Sequence, residues 1–456
     1  MNNIPWVNVS EFDLDDPMSE YGFSTRLANE NYWTRDFTKK AIVEYKKFMY
    51  LAGTSDFMVS PSEIVDVVWH QHLIFTNSYT EFCNILGKNI QHVPSTHNKE
   101  DHEKFRQAKE RTKKLYNETF GEQPPEIWDY SDMYESLHLP KAKWKIRTFL
   151  VIGILAFIAL IGPFYQVLYP LYIKIDNPYF IIGYLILILL AFIFLETYNR
   201  QQLMKIVAGF SRFSFIHSLQ PPELVFLKTD KLTNVIHGEI DQLIRDGKVE
   251  VTSGSAIEMV STAAPRTLEE FTIAGTLSEL GRVHYPTLLR QLVVKPVFTN
   301  IPNAMNAFKK WFSKSKAFGR LFYLNFIVLA FVIMIGLIRF STGIMRDRPV
   351  LLIFLAFLFL TCTAGVYLWR LPNLIATHTI PKHYSKILLP EREYAGNYEW
   401  QYFLLGTAFL SPSFIPMVTP IEQSSTWTSG GSSCGTGGSS CGSSCSSCGG
   451  CGGGGD

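Results

Sequence analysis

The segment Val65–Leu73, VDVVWHQHL, holds the densest set of side chains able to do chemistry in this chain. Asp66 and His70 stand four residues apart, which on a helix sets a carboxylate and an imidazole on adjoining turns of one face. Such a pair can share one metal ion, or act as a hydrogen-bonded acid–base couple. His92, His97 and His102 follow in a loop-like stretch and offer further imidazole ligands, with zinc the ion these residue types suit. His70 and His72 lie about 200° apart around a helix and cannot easily share an ion. No HExxH spacing is present and no cysteine pair accompanies the histidines. The ligand set is incomplete, so the sequence favours a structural reading in which His70 bonds Asp66 or backbone and Trp69 joins the core. Asp66, His70, His92 and His97 are the metal candidates, and no catalytic residue is assigned.

These side chains need helices to position them. Thr34 is the expected N-cap of a helix through FTKKAIVEYKKFMYLA, whose Phe37, Ala41, Tyr45, Phe48 and Ala52 recur at steps of three and four. Ser60 and Glu63 have capping-box spacing, with Pro61 at the first helical position, ahead of a stripe of Val65, Trp69, Leu73 and Thr76. A charged helix over Glu100–Phe120 ends at Gly121, before Pro124-Pro125. Residues 20–135 thus read as an α-helical domain of about four helices.

The elements FSTRLANENYW, EYKKFMYLA, SPSEIVDVVWHQHL, Tyr79, Cys83 and FGEQPPEIW, between Phe23 and Trp128, resemble the soluble domain of the glycine-rich domain-containing (GRDP-like) proteins. The resemblance covers about a quarter of the chain. It implies an all-helical domain and supplies no established chemistry.

Four apolar runs, Phe149–Leu171, Tyr179–Leu195, Leu321–Ile338 and Val350–Leu368, approach the ~20 residues that cross a bilayer as a helix. None contains a Lys, Arg, Asp, Glu or His, whereas chains that move ions or polar solutes usually place such groups inside their spans. The charged fraction is 18%, below the ~25% of soluble domains, and the net charge of +2 points to no particular partner. The start, MNNIPWVNVSEFDLDD, has neither the basic nor the apolar region of a secretory signal. Lysines and arginines at 141–147, 200–212, 309–320 and 370–386 mark one side of the membrane; Arg339, Arg346 and Arg348 in the second hairpin are a mild exception. The expectation is a cell (inner) membrane protein with both termini cytoplasmic. Gln401–Ile421 is uncharged but carries Pro412, Pro416 and Pro420, so an interfacial or packed segment is favoured over a fifth span.

Between the hairpins, SLQPPELVFLKT reads as a short helix, and Leu232, Val235, Ile236, Ile240, Leu243 and Ile244 as the stripe of a second, ending at Gly247. KVEVTSGSAIEMVS follows as a hairpin turning at Ser253-Gly254, with further helices over Leu268–Leu280 and Tyr285–Val293. Helix, helix, hairpin outlines a winged helix. LQPPELVFLKTDKLTNVIHGEIDQLIRDGKVEV resembles the cytoplasmic segment of a bacterial multi-pass membrane-protein family of unknown function with a Gly/Cys-rich tail. The second helix offers Lys231 and Arg245 against Glu239 and Asp241, which is no basic face for phosphates, so no nucleic acid is expected.

The tail, residues 424–456, is Gly/Ser-rich and reads as disordered. It carries Cys434, Cys441, Cys445, Cys448 and Cys451, for which simple low complexity, metal binding, lipidation and disulfide linkage stay open. The fold class is mainly α: a helical domain over 1–140, transmembrane hairpins over 148–196 and 321–369, a small α+β winged-helix-like domain over 197–320, a juxtamembrane segment over 370–423, and the tail. The favoured function is a membrane-tethered interaction or scaffold protein, touching membrane lipids and protein partners through its cytoplasmic domains. The alternative is a metal-dependent enzyme or metal-binding protein using VDVVWHQHL; transport is third.

Overall fold

The structure is a computed structural model, and it describes residues 5–93, 99–252, 255–261, 263–389 and 396–427. It is mainly helical. The N-terminal region comprises α1 (Phe23–Asn31), α2 (Arg35–Thr54), α3 (Glu63–Ile74), α4 (Thr76–Ile85) and α5 (Lys99–Phe120). Thr34 caps α2 by accepting from the Phe37 N–H, as its position led us to expect. For α3 the cap lies two residues later than the Ser60–Glu63 spacing suggested: Ser62 accepts from the Val65 N–H. Ser60 is instead tied to α5, its N–H donating to Thr112 Oγ1 at 2.8 Å, while Arg111 Nη1 donates to the Met58 carbonyl. The 56–62 segment stays outside any helix: Phe57 bonds locally to Ser55 Oγ through both its N–H and its carbonyl, while Met58 and Ser60 bond to α5. Glu44 is buried beneath these helices, where it accepts from Tyr116 Oη, Trp128 Nε1 and Lys47 Nζ.

Four helices are long and apolar enough to cross a membrane: α6 (Ile146–Tyr172), α7 (Asn177–Ala208), α13 (Lys316–Met345) and α14 (Leu351–Arg370). They do not form two self-contained hairpins. α13 is central and packs on α6, α7 and α14. Close approach needs small residues: a Cβ on Gly336 would sit 2.2 Å from Tyr184 Oη, and one on Gly153 2.7 Å from the Phe326 ring. Near one end of the bundle Asn199 and Asn325 exchange side-chain amide bonds at 2.9 and 2.8 Å, and Asn199 also donates to Tyr367 Oη. Arg339 is not a loop charge: it is buried in α13, donating to the carbonyls of Tyr172 and Ile175 at 2.5 and 2.8 Å. A guanidinium at the carbonyl end of α6 is favourably placed in the helix dipole, and this accounts for part of the apparent exception to the charge rule.

Between α7 and α13 lie α8 (Pro221–Thr229), α9 (Leu232–Arg245), β1 (Val249–Thr252), β2 (Ala256–Met259), α10 (Leu268–Leu280), β3 (Val283–His284), α11 (Tyr285–Leu292) and α12 (Pro296–Ser313). β1 and β2 pair antiparallel with Val249 opposite Met259, and β3 adds to β2 as a third strand, giving the order β1-β2-β3. The turn at Ser253-Gly254 lies outside the described residues. α9 is no surface helix, as Asn234, Val235, Ile236, His237, Gly238, Ile240, Asp241 and Leu243 are all buried. Part of its cover comes from α15 (Tyr398–Leu405) and from the turn that precedes α16 (Ile415–Trp427), where the Ser411 N–H donates to Asp241 and Phe414 meets the His237 ring. Gln401–Ile421 is thus broken by a turn and packed on α8 and α9, burying Tyr402, Phe403, Phe414 and Val418. One continuous apolar core runs through the N-terminal region, the middle region, this C-terminal segment and the adjoining ends of the spans.

Candidate metal centre

α3 is amphipathic with its polar edge outward. Ile64, Val65, Val68 and Trp69 enter the core, which sends Asp66 and His70 to the surface on neighbouring turns. His72, two residues on, faces inward and is fully buried. Its Nδ1 is 2.7 Å from Tyr45 Oη and its Nε2 3.1 Å from Ser78 Oγ, so both ring nitrogens are occupied. Burial lowers its pKa to about 4. The two histidines of the motif thus divide between core and surface, as their angular separation requires.

What the sequence did not show is how His92 returns. Trp69 Nε1 donates to Tyr79 Oη at 3.1 Å, and Tyr79 Oη donates in turn to the Ile90 carbonyl. Burial raises the tyrosine's pKa, keeping it a hydroxyl donor. This relay pins residue 90, and with it His92, against α3. His92 Nε2 comes to 3.0 Å from Asp66 Oδ1, and His70 Nε2 lies 3.4 Å from Asp66 Oδ2. The His70 and His92 rings are 4.3 Å apart between centroids, and the edge of Trp69 meets His92 at 4.7 Å. One ligand atom from each of Asp66, His70 and His92 lies within 4.8 Å of the others. Of the four metal candidates, then, three converge; His97 lies outside the described residues, as do Cys434, Cys441, Cys445, Cys448 and Cys451, and the side chain of His102 is likewise not described. Of the expected structural reading, Trp69 is core, but the hydrogen bond to Asp66 comes from His92, and His70 lies exposed at 3.4 Å from the carboxylate rather than inside the domain.

Asp66 and His92 also line a groove of about 410 Å³ between the irregular segments at 56–62 and 88–93. Met58, Val59 and Trp69 supply apolar wall, Ser60, Glu63 and Gln91 polar groups, and Phe57 and Val93 stand on the rim 69% and 59% exposed. A carboxylate beside two imidazoles can hold a divalent ion or pass a proton.

Residues 21–119, which contain every part of this cluster, match a protein family described as UCP032817-like. No curated protein and no solved structure matches the chain significantly. The match covers less than half of the chain, and it is to the module that carries Asp66, His70 and His92.

Proposed function

We propose that this is a membrane-tethered interaction protein, in which the N-terminal helical module is a binding head held over a four-helix anchor. The reading rests on one observation above others. The core that closes the N-terminal region is continuous with that of the middle region and with the ends of the spans, so the head is fixed to the anchor by packing as well as by chain. Tyr134 joins the parts directly: its hydroxyl lies 2.7 Å from the Tyr32 carbonyl and 3.1 Å from that of Ala304. α9 supports the same conclusion from another side. Its burial beneath α15 and the 411–414 turn removes it as a groove-reading helix, leaving nucleic acid a poor partner and protein surfaces a better one.

The soluble body lies on the cytoplasmic side of the cell membrane in this reading, with both termini there. Lys141, Lys143, Lys145, Arg147, Arg200 and Lys205 flank the spans at the end that meets it, and Arg339 at the other end is held by backbone carbonyls. Capture from membranes tests the proposal, using the intact chain, a chain ending at Gln423, and Phe57→Glu in the exposed groove rim. A specific partner lost with Phe57→Glu supports the head as the binding unit. A partner set identical for all three chains, or none, removes it.

A further inference from the structure

We propose that Asp66, His70 and His92 form a three-ligand site for a divalent transition ion of the zinc class, with its remaining coordination open to the groove. The proposal goes beyond the tethering role and does not depend on it.

The distances carry it first. Tetrahedral bonds of about 2.05 Å place ligand atoms about 3.3 Å apart. The two carboxylate–imidazole separations here, 3.0 and 3.4 Å, bracket that value. Because these use different oxygens of Asp66, one oxygen must serve the ion, and the 4.8 Å limit on all three atoms leaves a shift of up to about 1.5 Å to make. His70, with its side chain 58% exposed, has room to make it.

Positioning carries it next. Asp66 and His70 share a capped helix, and His92 is brought from 22 residues further on by the Trp69–Tyr79–Ile90 relay. His92 is the least exposed of the three at 14%, being walled by Trp69. A surface ion pair has no need of such an arrangement, whereas a metal site needs one ligand brought in and fixed from a second element.

Donor chemistry then chooses the ion. Two imidazoles and one carboxylate suit zinc, cobalt or ferrous iron; calcium and magnesium favour all-oxygen shells, and a cuprous ion favours thiolates. Three protein ligands with an open position is the pattern of reactive rather than closed structural sites. Water or an anionic group entering from the groove can take the open position, beside Ser60 and Gln91.

The test uses the full chain in nanodiscs with the five tail cysteines and the exposed Cys362 changed to serine, leaving Cys83, which is buried, as the one remaining thiol. Co²⁺ is titrated and read by its visible absorption, and Zn²⁺ is titrated in competition. We expect one equivalent bound, a spectrum free of thiolate charge-transfer bands, displacement by Zn²⁺, and no displacement by millimolar Mg²⁺ or Ca²⁺. His70→Ala, His92→Asn and Asp66→Asn should each weaken binding tenfold or more. His70 is exposed, so its variant keeps the fold, which thermal unfolding checks. Failure to bind Co²⁺ in the parent chain, or undiminished affinity in His70→Ala, would overturn the site and show only an Asp66-centred hydrogen-bond cluster.

Discussion

The N-terminal and middle regions each set histidine, tyrosine and a carboxylate near one another, to opposite ends. In the middle region the carboxylate is closed off, although His237 Nε2 beside it in α9 is buried without a hydrogen-bond partner among the described residues. Asp241 is fully buried and accepts from Arg245 Nε, Tyr398 Oη and the Ser411 N–H, while His237 Nδ1 meets Tyr285 Oη. At Asp66, His70 and His92 the set is open, half exposed and beside a groove. Burial explains the difference in use. A buried polar group must be paired or it costs the fold a few kcal/mol, so a closed set is committed to structure. An open set keeps lone pairs free for something else.

The strongest way to break this contrast is Asp241→Ala. It would strand a tyrosine hydroxyl and a backbone N–H at the joint between α9 and the 398–418 segment, and leave Arg245 with its bond to the Phe409 carbonyl alone. A loss of about 3–5 kcal/mol is expected, read as a lower unfolding midpoint and as new protease cleavage within α15 and α16. Unchanged stability would mean that the closed set is not structural.

His72 tests the same idea by pH. Its folded pKa of about 4 lies below the ~6.5 of an unfolded histidine, because burial disfavours the charged ring. The stability it contributes as a neutral group is complete above about pH 6.5 and is lost as pH falls toward 4. Between pH 7 and 4.5 the protein should lose roughly 2–3 kcal/mol through this residue. His72→Gln, which keeps a hydrogen-bonding side chain, should flatten that part of the stability profile.

Glu239 sharpens the comparison with the opposite sign. Burial, then repulsion from Glu269, pushes its carboxyl up to about 8, while Arg35 from α2 opposes that rise. Arg35 itself bridges regions, bonding Glu269 and donating its N–H to Glu223 at 3.0 Å. A folded pKa raised above the unfolded ~4.5 gives stability that is complete below pH 4.5 and lost as pH rises toward 8. Glu239→Gln should therefore leave the protein unchanged at pH 4 and stabilise it by roughly 1–2 kcal/mol at pH 9. Denaturant midpoints at the two pH values decide it.

Much of this molecule is legible in the sequence where the signal is local. Thr34 announces α2, the three–four stripe announces α9, and four apolar runs announce the long helices. Ser62 displaced Ser60 as a cap because Ser60's N–H is taken by Thr112, fifty-two residues away, which no local pattern carries. The stripe on α9 shows that one face is apolar; it does not show that Tyr402 comes from far along the chain to fill the space over Gly238, where a Cβ would stand 2.7 Å from its ring. The site divides in the same way. Asp66 and His70 follow from helical spacing, but His92 joins them through a tyrosine–carbonyl bond that has no spacing rule.

The smallest expected effect discriminates most finely. His70→Ala removes an exposed side chain whose polar contact is a 3.4 Å approach to Asp66, so apo stability should change by less than about 0.5 kcal/mol. With an ion present the two chains must part. A ligand at about a hundred times its dissociation constant stabilises the folded state by about 2.7 kcal/mol, and the parent chain should gain close to that on adding Zn²⁺. The variant should gain a small fraction of it. Equal gains would place the zinc elsewhere and leave Asp66, His70 and His92 as a hydrogen-bonded surface cluster. Equal apo stability with unequal zinc response is the signature of a set of side chains kept open for a ligand, in contrast to the set around Asp241, which the fold has already used.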